Sequence, residues 1–484
     1  MRTLAALAVL LLLSGCLSGP KAQPEPPVAT PADAAAATFF VHDVGEQGAE
    51  PSIGVTSDGA IFFQAFQKTM KSTDGGRAWA NTNAPYSAPT TLDPYMWVDP
   101  VTDRVFADQL YVACSYLTFS DDGGATWLAN PVACGTPAND HQKVTTGPYV
   151  PGSPLDTAAT GHKSVYPNVV YYGINGLADS RIAMSIDGGV TFPFVAESFP
   201  AAPAEGQSCG GGLHGNILAA PDGTVLVPSR SNCNGPRERT LGGPVIARST
   251  DNGLTWTQAV VADDVGTPYD DKNPDLAADT DGNVYLAFPG GDNRLWLATS
   301  TDDGVTWSKA VVMTPDLGTT VMPALVAGSA GRIAVAYYGV ADPRTSELDK
   351  HPGELAVPDQ VNDTARWSLF VTFSLDALAA TPTFHTVKVT GDDPIQVGGI
   401  STNSGDSDGA ERNLLDFIDA VVDKDGRLHV AFADGCTSDA CTGPKGKPDD
   451  SRDSLGTVAV LETGPSLFAE KGDLTARSPA TNLG

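Results

Sequence analysis

The octapeptide Ser300-Thr-Asp302-Asp-Gly304-Val-Thr-Trp307 decides the fold of this chain, because four more copies of it occur. The other copies begin at Ser72, Ser120, Ser185 and Ser249, and all five fit the pattern Ser-x-Asp-x-Gly-x-(Thr/Ala)-(Trp/Phe). Neighbouring copies begin 48 to 65 residues apart. Repeats of this length are typical of propellers and other arrays in which each repeat forms one small structural unit.

Each octapeptide has the chemistry of a tight hairpin turn. The aspartate carboxylate can accept hydrogen bonds from backbone N–H groups of the turn, and the glycine supplies the positive φ that other residues avoid. The final aromatic side chain is expected to pack back onto the sheet. We therefore predict that the aspartates are structural and not catalytic; they are Asp74, Asp122, Asp187, Asp251 and Asp302.

A second type of hairpin alternates with the octapeptides. Residues 51–64 have the pattern of a strand, an Asp58-Gly59 turn and a second strand, and this plan returns around Gly223, Gly282 and Gly426. Each repeat is thus predicted to contain four strands, A to D. The inner A strands are predicted to begin near Pro51, Pro94, Tyr166, Gly215, Pro274, Pro323 and Ile418. The sequence predicts an all-β protein, a β-propeller of four-stranded antiparallel blades, with seven blades favoured and six as the alternative.

The N-terminal residues predict an export signal with a lipid anchor. An apolar run at residues 4–13, too short to span a bilayer, ends in Leu13-Ser14-Gly15-Cys16. This resembles a lipoprotein signal in which Cys16 is acylated, with an ordinary secretory signal as the alternative. The predicted organisation is a signal peptide at 1–16, a Pro/Ala-rich tether at 17–37, a single propeller at 38–464 closed by its N- and C-terminal strands, and a tail at 465–484.

The charge balance limits the partners of the protein. The chain has 57 acidic residues against 29 lysines and arginines, a net charge of −28, whereas a nucleic-acid ligand requires a basic face. We expect a monomer at the cell envelope or surface that touches a membrane only through its lipid. We predict no metal site and no cofactor, with calcium as the alternative, because the segments 279–282 and 423–426 resemble fragments of calcium loops.

Six cysteines are left once Cys16 is set aside, and they lie in local pairs. An even number of cysteines in an exported chain predicts disulfides, with the pairing inferred from proximity alone. The predicted pairs are Cys114 with Cys134, Cys209 with Cys233 and Cys436 with Cys441.

The octapeptides resemble the Asp boxes of the bacterial neuraminidase repeat family, over nearly the whole of the predicted propeller. Residues 211–230 and 245–251 are most similar to the central blades of sialidases. This resemblance implies a glycan or glycoprotein ligand and an exo-glycosidase of the sialidase type, with a non-catalytic glycan- or protein-binding propeller as the alternative. It also implies an arginine triad, a tyrosine nucleophile paired with a glutamate, and an aspartate acid/base. Where sialidases have Phe-Arg-Ile-Pro, this chain has Glu50-Pro51-Ser52-Ile53, which lacks the arginine.

The lengths of the connections predict which face carries a site. In a four-stranded blade, the A–B and C–D turns lie on one face, and the B–C and D–A connections lie on the other. The turns of the first set are short in this sequence, and the long insertions belong to the second set. Binding residues concentrate on such loops, so we expect the site on that face, around the propeller axis.

Candidate site residues lie in or beside these long connections. The predicted catalytic residues are Asp416, Tyr338, His214 and Glu50, with core packing or loop capping as the alternative roles. Substrate binding is predicted for Arg230, Arg366, Arg412, Asp140, His141 and Asp419, since arginine can pair with a carboxylate or a sulfate. Asp416 and Asp419 are three residues apart, so on a strand at most one of them is expected to face the axis.

Overall fold

The computed structural model describes residues 34–84, 93–111, 114–130, 140–156, 165–175, 180–199, 214–229, 243–262, 265, 273–292, 294–341, 365–400, 412–437, 441 and 453–477. These residues are almost entirely β-structure, with two short 3-10 helices at Ala34–Ala36 and Ala469–Lys471. In this part of the chain, no helix is both long and apolar enough to cross a membrane.

The strands form seven antiparallel sheets, which are the blades of a propeller. The first strand, β1 (Thr38–Gln47), belongs to the last blade. Blade 1 contains β2 (Ser52–Val55), β3 (Ile61–Ala65), β4 (Lys68–Ser72) and β5 (Ala80–Asn81). Blade 2 contains β6 (Pro94–Val98), β7 (Val105–Tyr111), β8 (Cys114–Ser115), β9 (Leu117–Ser120) and β10 (Leu128–Asn130). Blade 3 contains β11 (Asp140–Gly147), β12 (Val169–Asn175), β13 (Ser180–Ser185) and β14 (Phe194–Glu197).

The remaining four blades follow the same plan. Blade 4 contains β15 (Leu218–Ala219), β16 (Val225–Ser229), β17 (Val245–Ser249) and β18 (Thr257–Val260). Blade 5 contains β19 (Asp275–Ala278), β20 (Val284–Pro289), β21 (Leu295–Ser300) and β22 (Val311–Val312). Blade 6 contains β23 (Thr319–Ala327), β24 (Ile333–Val340), β25 (Arg366–Ser374), β26 (His385–Lys388) and β27 (Gln396–Val397). Blade 7 contains β28 (Asp419–Val422), β29 (Leu428–Asp434), β30 (Leu455–Pro465) and β31 (Asp473–Leu474).

The inner strands form a closed ring around the axis. Each contacts the next in the order β2, β6, β11, β15, β19, β23 and β28, and β28 contacts β2 again. The N-terminal strand β1 pairs with β30 as the outermost strand of blade 7, with Phe40 opposite Val460. The two ends of the described chain thus share one sheet, which protects its outer edge. The all-β propeller is confirmed, and the blade count is seven.

The structure corrects the predicted inner strand of blade 3. That strand is β11, which begins at Asp140, whereas the prediction placed it near Tyr166 on the chain that leads into the second strand β12. The prediction failed because it assumed a short A–B turn. Here the A–B connection runs from 148 to 168, and Ser153 Oγ in it donates a hydrogen bond to Asn252 of a neighbouring octapeptide. The cluster Asp140 to Lys143 therefore lies on an inner strand and not in a loop.

The octapeptide turns are held together by their own side chains. In blade 2, Asp122 Oδ1 accepts hydrogen bonds from Thr126 N (2.8 Å) and Ser120 Oγ (2.8 Å), and Thr126 Oγ1 donates to Oδ2 at 2.6 Å. The indole of Trp127 donates to Gly124 O. Gly124 has a φ of 85°, and a Cβ there would stand 3.0 Å from Phe62 of blade 1, so the glycine permits both the turn and the blade contact.

The hydrophobic core lies between neighbouring blades. Large aromatic side chains are almost fully buried in it, including Phe106, Tyr172, Tyr285 and Trp367. Trp367 also donates its indole N–H to Gly398 O at 2.8 Å, so its polar atom is satisfied inside the core. Removing such an aromatic side chain from a packed core destabilises a protein by about 3–5 kcal/mol.

The segment predicted as a C-terminal tail packs against the propeller as far as the structure describes it. Leu467 is fully buried, and β31 pairs with β30. Arg477 donates to Asp423 Oδ2 of blade 7 at 2.5 Å. Residues 465–477 of the predicted C-terminal tail are thus docked on the propeller, a contact that no periodic pattern in the sequence indicates.

One of the three predicted disulfides falls within the described residues. Cys436 and Cys441 are bonded, with Cα atoms 5.2 Å apart. For the other pairs, the side chain of Cys114 and the whole of Cys134, Cys209 and Cys233 lie outside the described residues. The signal peptide at 1–16 with Cys16, and residues 17–33 of the tether, lie outside them as well.

Candidate functional site

The two faces of the propeller carry different structures. We call the face with the octapeptide turns the lower face, and the face at which the inner strands begin the upper face. At the axis on the upper face, four acidic or basic side chains gather around one imidazole, and we call this group the axial cluster. Its members are Glu50, Asp93, His141, Arg412 and Asp416.

Each member of the axial cluster lies at or just before an inner strand. Glu50 and Asp93 directly precede the segments that form β2 and β6, and His141 is the second residue of β11. Arg412 and Asp416 lie on the approach to β28. The inner strands of blades 1, 2, 3 and 7 are consecutive around the ring, so their starting points meet at one side of the axis.

His141 lies at the centre of the axial cluster. Its Nε2 is 3.1 Å from Asp416 Oδ2 and 3.8 Å from Glu50 Oε1. The edge of the imidazole meets the ring of Phe417, with centroids 5.8 Å apart. The backbone carbonyl of His141 accepts a hydrogen bond from Asn175 Nδ2 at 2.8 Å, which fixes the start of β11 to β12. The imidazole is therefore held between two carboxyl groups.

Arg412 binds Asp416 through two hydrogen bonds. Its Nη1 donates to Oδ1 at 2.8 Å and its Nη2 donates to Oδ2 at 2.6 Å. The Asp416 side chain is 9% exposed, whereas that of Arg412 is 34% exposed. This bidentate geometry fixes the plane of the carboxylate.

Two members of the axial cluster have a strained backbone. Glu50 has a φ of 51° and His141 has a φ of 45°. Glutamate and histidine rarely adopt this left-handed conformation, and the residue before a proline is restricted further. Such strain persists only where the surrounding structure imposes it, and it is common at functional sites.

The carboxyl group of Glu50 is the most perturbed group of the axial cluster. Burial, followed by the charges of Asp93 and Asp416, raises the pKa of Glu50 well above its ordinary value. The side chain is 1% exposed, and its Oε2 has no hydrogen-bond partner among the described residues. Glu50 is therefore a buried acid that faces other acids.

Lys143 and two aromatic rings adjoin the axial cluster. The Nζ of Lys143 is 3.6 Å from the ring centre of Phe417 and 4.5 Å from that of Tyr95, which are cation–π contacts. Burial lowers the pKa of Lys143, while the nearby carboxylates, Asp419 and Glu50 first, act in the opposite direction. Phe417 is half-buried, so part of an apolar ring lies beside the charged groups.

An axial channel of about 470 Å³ continues between the inner strands. Most of its wall is apolar, but Asp275 and Asp419 line it as well. Burial raises the pKa of Asp275 to about 7 and that of Asp419 to about 6. Asp275 accepts a hydrogen bond from Leu325 N of the next blade at 2.7 Å, and Asp419 accepts one from Ile53 N at 3.0 Å. These two aspartates therefore join adjacent blades.

His214 lies beside the axial cluster and not in it. Its side chain is fully buried, and its Nδ1 donates to Gly215 O at 2.7 Å. It packs against Gly173, where a Cβ would stand 2.8 Å from the imidazole. Burial lowers the pKa of His214 to about 4. This packing leaves the ring neutral near pH 7 and fixed at the interface of blades 3 and 4.

Tyr338 and Arg366, both predicted site residues, lie away from the axial cluster. Tyr338 is fully buried between blades 6 and 7, where its hydroxyl donates to Ala433 O and accepts from Ala433 N. The hydroxyl is thus saturated by backbone groups, and this arrangement argues against a nucleophile. Arg366 is exposed at the start of β25, and its Nη2 donates to Asp392 O at 3.4 Å.

The structure brings together four predicted residues, namely Glu50, His141, Arg412 and Asp416. The backbone of Asp140 starts β11, but its side chain lies outside the described residues, as does the whole of Arg230. In the described part of the chain, Arg412 is the one arginine that contacts the axial cluster, so an arginine triad is not present there.

Sequence reasoning missed Asp93. A signal for it exists, because Asp93-Pro94 lies at the start of β6 and Glu50-Pro51 lies just before β2. An acid followed by proline at the start of two successive inner strands predicts two carboxyl groups at the axis. Only the Glu50 segment lies at the position of a family motif.

No protein-family model matches the chain, and no curated protein matches it either. Similar solved structures include a protein of unknown function from Dyadobacter fermentans, with a TM-score of 0.43 and 13% identity, covering 88% of this chain and 98% of that one. Another is the NanB sialidase of Streptococcus pneumoniae, with a TM-score of 0.42 and 12% identity, covering 90% and 71%. A third is the leech intramolecular trans-sialidase, with a TM-score of 0.40 and 14% identity, covering 86% and 68%. Identities and scores this low carry no inference about activity, and the propeller fold rests on the strand pairing itself.

Proposed function

We propose that the protein acts on a glycan at the axial cluster of the upper face, as a carboxylate-dependent glycoside hydrolase. The observation that supports this is the convergence of Glu50, Asp93 and Asp416 around His141 at the axis. Glycoside hydrolysis needs a pair of carboxyl groups that exchange protons with the leaving oxygen and with water. The half-buried ring of Phe417 beside them offers an apolar surface for the face of a sugar.

The charge of the axial cluster favours a neutral sugar over sialic acid. A sialidase clamps the carboxylate of its substrate with arginines, whereas in this chain Pro51 stands at the place of the first of these and the acidic Glu50 precedes it. A sugar carboxylate at the axis would meet three carboxyl groups and one guanidinium that is already bound to Asp416. Like charges brought together in a buried site are unfavourable.

A non-catalytic glycan-binding propeller is the second candidate, and the spacing of the carboxyl groups favours it. Glu50 and Asp416 approach the same His141 nitrogen, at 3.8 and 3.1 Å, and they are hydrogen-bond neighbours. Retaining hydrolases separate their two carboxyl groups by about 5 Å, and inverting enzymes separate them further. Cleavage would therefore require a sugar to enter between the two groups, whereas binding would not.

A glycoside panel distinguishes these candidates. Purified protein is incubated with chromogenic glycosides of neutral and acidic sugars and is also applied to a glycan array. If the protein is a hydrolase, it is expected to release the chromogenic group from at least one neutral glycoside. The rate of release should be at least 100-fold lower in Asp416→Asn. It should be unchanged in Asp108→Asn, a substitution of a buried residue outside the axial cluster. Array binding with no release would favour the binding propeller. Release from sialosides alone, or neither binding nor release, would contradict the proposal.

We also propose that the protein is exported and anchored through Cys16. The support is the Leu-Ser-Gly-Cys sequence after a short apolar run, followed by a Pro/Ala-rich tether. A single acyl chain gives weak binding to membranes, so stable anchoring requires more than one chain. Mass spectrometry of the N-terminal peptide is expected to show an acylated Cys16, and Cys16→Ala is expected to move the protein to the soluble fraction. An N-terminus cleaved elsewhere with an unmodified cysteine would contradict this.

A further inference from the structure

Three buried side chains of the axial cluster place ligand-type atoms close together. A carboxylate oxygen of Glu50, one of Asp93 and a ring nitrogen of His141 all lie within 4.8 Å of one another. We call these three residues the axial triad. They come from the inner ends of three successive blades, so the closed ring fixes their relative positions.

The spacing of the axial triad is close to that of a metal shell. Oxygen and nitrogen ligands bind zinc at about 2.0–2.2 Å, so two ligands of one ion are at most about 4.4 Å apart. Small rotations of the three side chains would bring the observed atoms into this range. Glu50 and His141 both have left-handed φ values at the starts of their inner strands.

A second observation points to a missing hydrogen-bond donor or cation beside Glu50. Oε2 of Glu50 is buried and has no hydrogen-bond partner among the described residues. A buried carboxylate oxygen without a donor is destabilising. The nearby cations are otherwise engaged, because Arg412 binds Asp416 and Lys143 lies over two aromatic rings. A cation at the centre of the axial triad would satisfy this oxygen and offset the three carboxylates.

We propose that Glu50, Asp93 and His141 bind a divalent transition-metal ion, zinc or manganese, at the propeller axis. The imidazole ligand favours transition metals over calcium and magnesium, which prefer oxygen ligands alone. Asp416 Oδ2, 3.1 Å from Nε2 of His141, is placed to become a fourth ligand. Arg412 would then orient Asp416, as hydrogen-bonded neighbours of metal ligands commonly do.

Metal binding is independent of the proposed glycan chemistry, because it is measured without any sugar. Tag-free protein stripped with a chelator is titrated with zinc chloride and with manganese chloride, and calcium chloride serves as the comparison. One site is expected, with a Kd at or below about 1 μM for zinc or manganese. Glu50→Gln, Asp93→Asn and His141→Gln are each expected to weaken binding at least tenfold.

Asp108→Asn is the matched control variant. Asp108 is also fully buried, and its Oδ2 also lacks a hydrogen-bond partner among the described residues, but it lies outside the axial triad. This variant is expected to bind metal as the wild type does. The proposal would be overturned if all three triad variants bound the metal as tightly as the wild type does. It would also be overturned if the folded wild type bound neither zinc nor manganese.

Circular dichroism and a cobalt titration guard against misfolded variants. If a triad variant does not fold, the wild type alone is titrated with cobalt chloride. Binding through one imidazole and two or three carboxylates is expected to produce saturable d–d absorption bands with one equivalent of cobalt. A spectrum identical to that of cobalt in buffer would contradict the site even without the variants.

Discussion

The lower and upper faces of this propeller use the same kind of residue in opposite ways. On the lower face, hydrogen bonds from Thr126 and Thr306 lower the pKa of Asp122 and Asp302 to about 2. On the upper face, burial and neighbouring carboxyl groups raise the pKa of Glu50 well above its ordinary value. A carboxylate surrounded by donors builds a turn, whereas carboxyl groups that face one another are available for a proton, a cation or a ligand. The supply of hydrogen-bond donors thus separates the turn aspartates from Glu50.

Among substitutions compared at a fixed pH near 7, the largest loss of stability is expected from breaking the ion pair of the upper face. Arg412→Ala leaves the Asp416 carboxylate, which is 9% exposed, without both of its guanidinium hydrogen bonds. Removing one partner of a buried pair destabilises a protein by about 3–5 kcal/mol, and the partial exposure of Arg412 places the expected loss at about 3 kcal/mol. Urea unfolding of the variant measures it. Arg412→Lys should lose less, and an unchanged midpoint in Arg412→Ala would show that Asp416 does not depend on this pair.

A smaller loss of stability is expected when an octapeptide turn on the lower face is altered. Asp251→Ala removes the acceptor for Ser249 Oγ and for the backbone and side chain of Thr255. The turn is largely exposed, so we expect a loss of about 2 kcal/mol in the free energy of unfolding. Asp251→Asn keeps one acceptor oxygen and should lose less. Zinc or manganese binding should be unaffected in both variants, and weakened metal binding would break the distinction between the faces.

The pH dependence of stability tests whether the buried Asp108 holds a proton in the folded state. Burial raises the pKa of Asp108 to about 8. The folded state therefore keeps a proton that the unfolded state loses above pH 4, and stability falls as the pH rises from about 4 to 8. Between these pH values the buried proton changes the free energy of unfolding by about 1.4 kcal/mol per pH unit. Asp108→Asn should flatten the decline seen in urea unfolding between pH 5 and 8, and parallel curves for wild type and variant would contradict a buried proton at Asp108.

The smallest effect is expected when the octapeptide turns of the lower face are exposed to acidic pH. The pKa of Asp302 is lowered to about 2, so its hydrogen bonds persist at pH 4 and are lost only as the pH falls towards 2. The Thr306 amide, which donates to Asp302, should keep its hydrogen-exchange protection at pH 4 and lose it near pH 2. Protection factors are corrected for intrinsic exchange rates. Loss of protection already at pH 4 would show an ordinary exposed aspartate.

The fold was predictable from sequence because its repeat is local. Each octapeptide contains the residues that close its own turn, and five copies with regular spacing predict a propeller without any long-range information. Blade 3 was misplaced because its inner strand, Asp140–Gly147, is polar and is followed by a long connection in place of an Asp-Gly turn. Apolar periodicity does not reveal a strand that is largely polar.

The candidate site was predictable only in part. The residues Glu50, His141, Arg412 and Asp416 stood out because they are charged and lie next to long connections. Their convergence with Asp93 depends on the closure of seven blades into a ring, which no local pattern encodes. Tyr338 was proposed as a nucleophile by resemblance alone, and its saturation by Ala433 depends on the packing of blade 6 against blade 7.

The distinction between the two faces is tested most directly by a crystal structure of the protein soaked in zinc chloride. Anomalous data collected at the zinc edge show which face holds the carboxyl groups that bind the metal. We expect an anomalous peak at the axis, within about 2.0–2.2 Å of Glu50, Asp93 and His141, and none at the octapeptide aspartates. A peak at the octapeptide turns with no peak at the axis would contradict the assignment of structural carboxylates to the lower face and functional ones to the upper face.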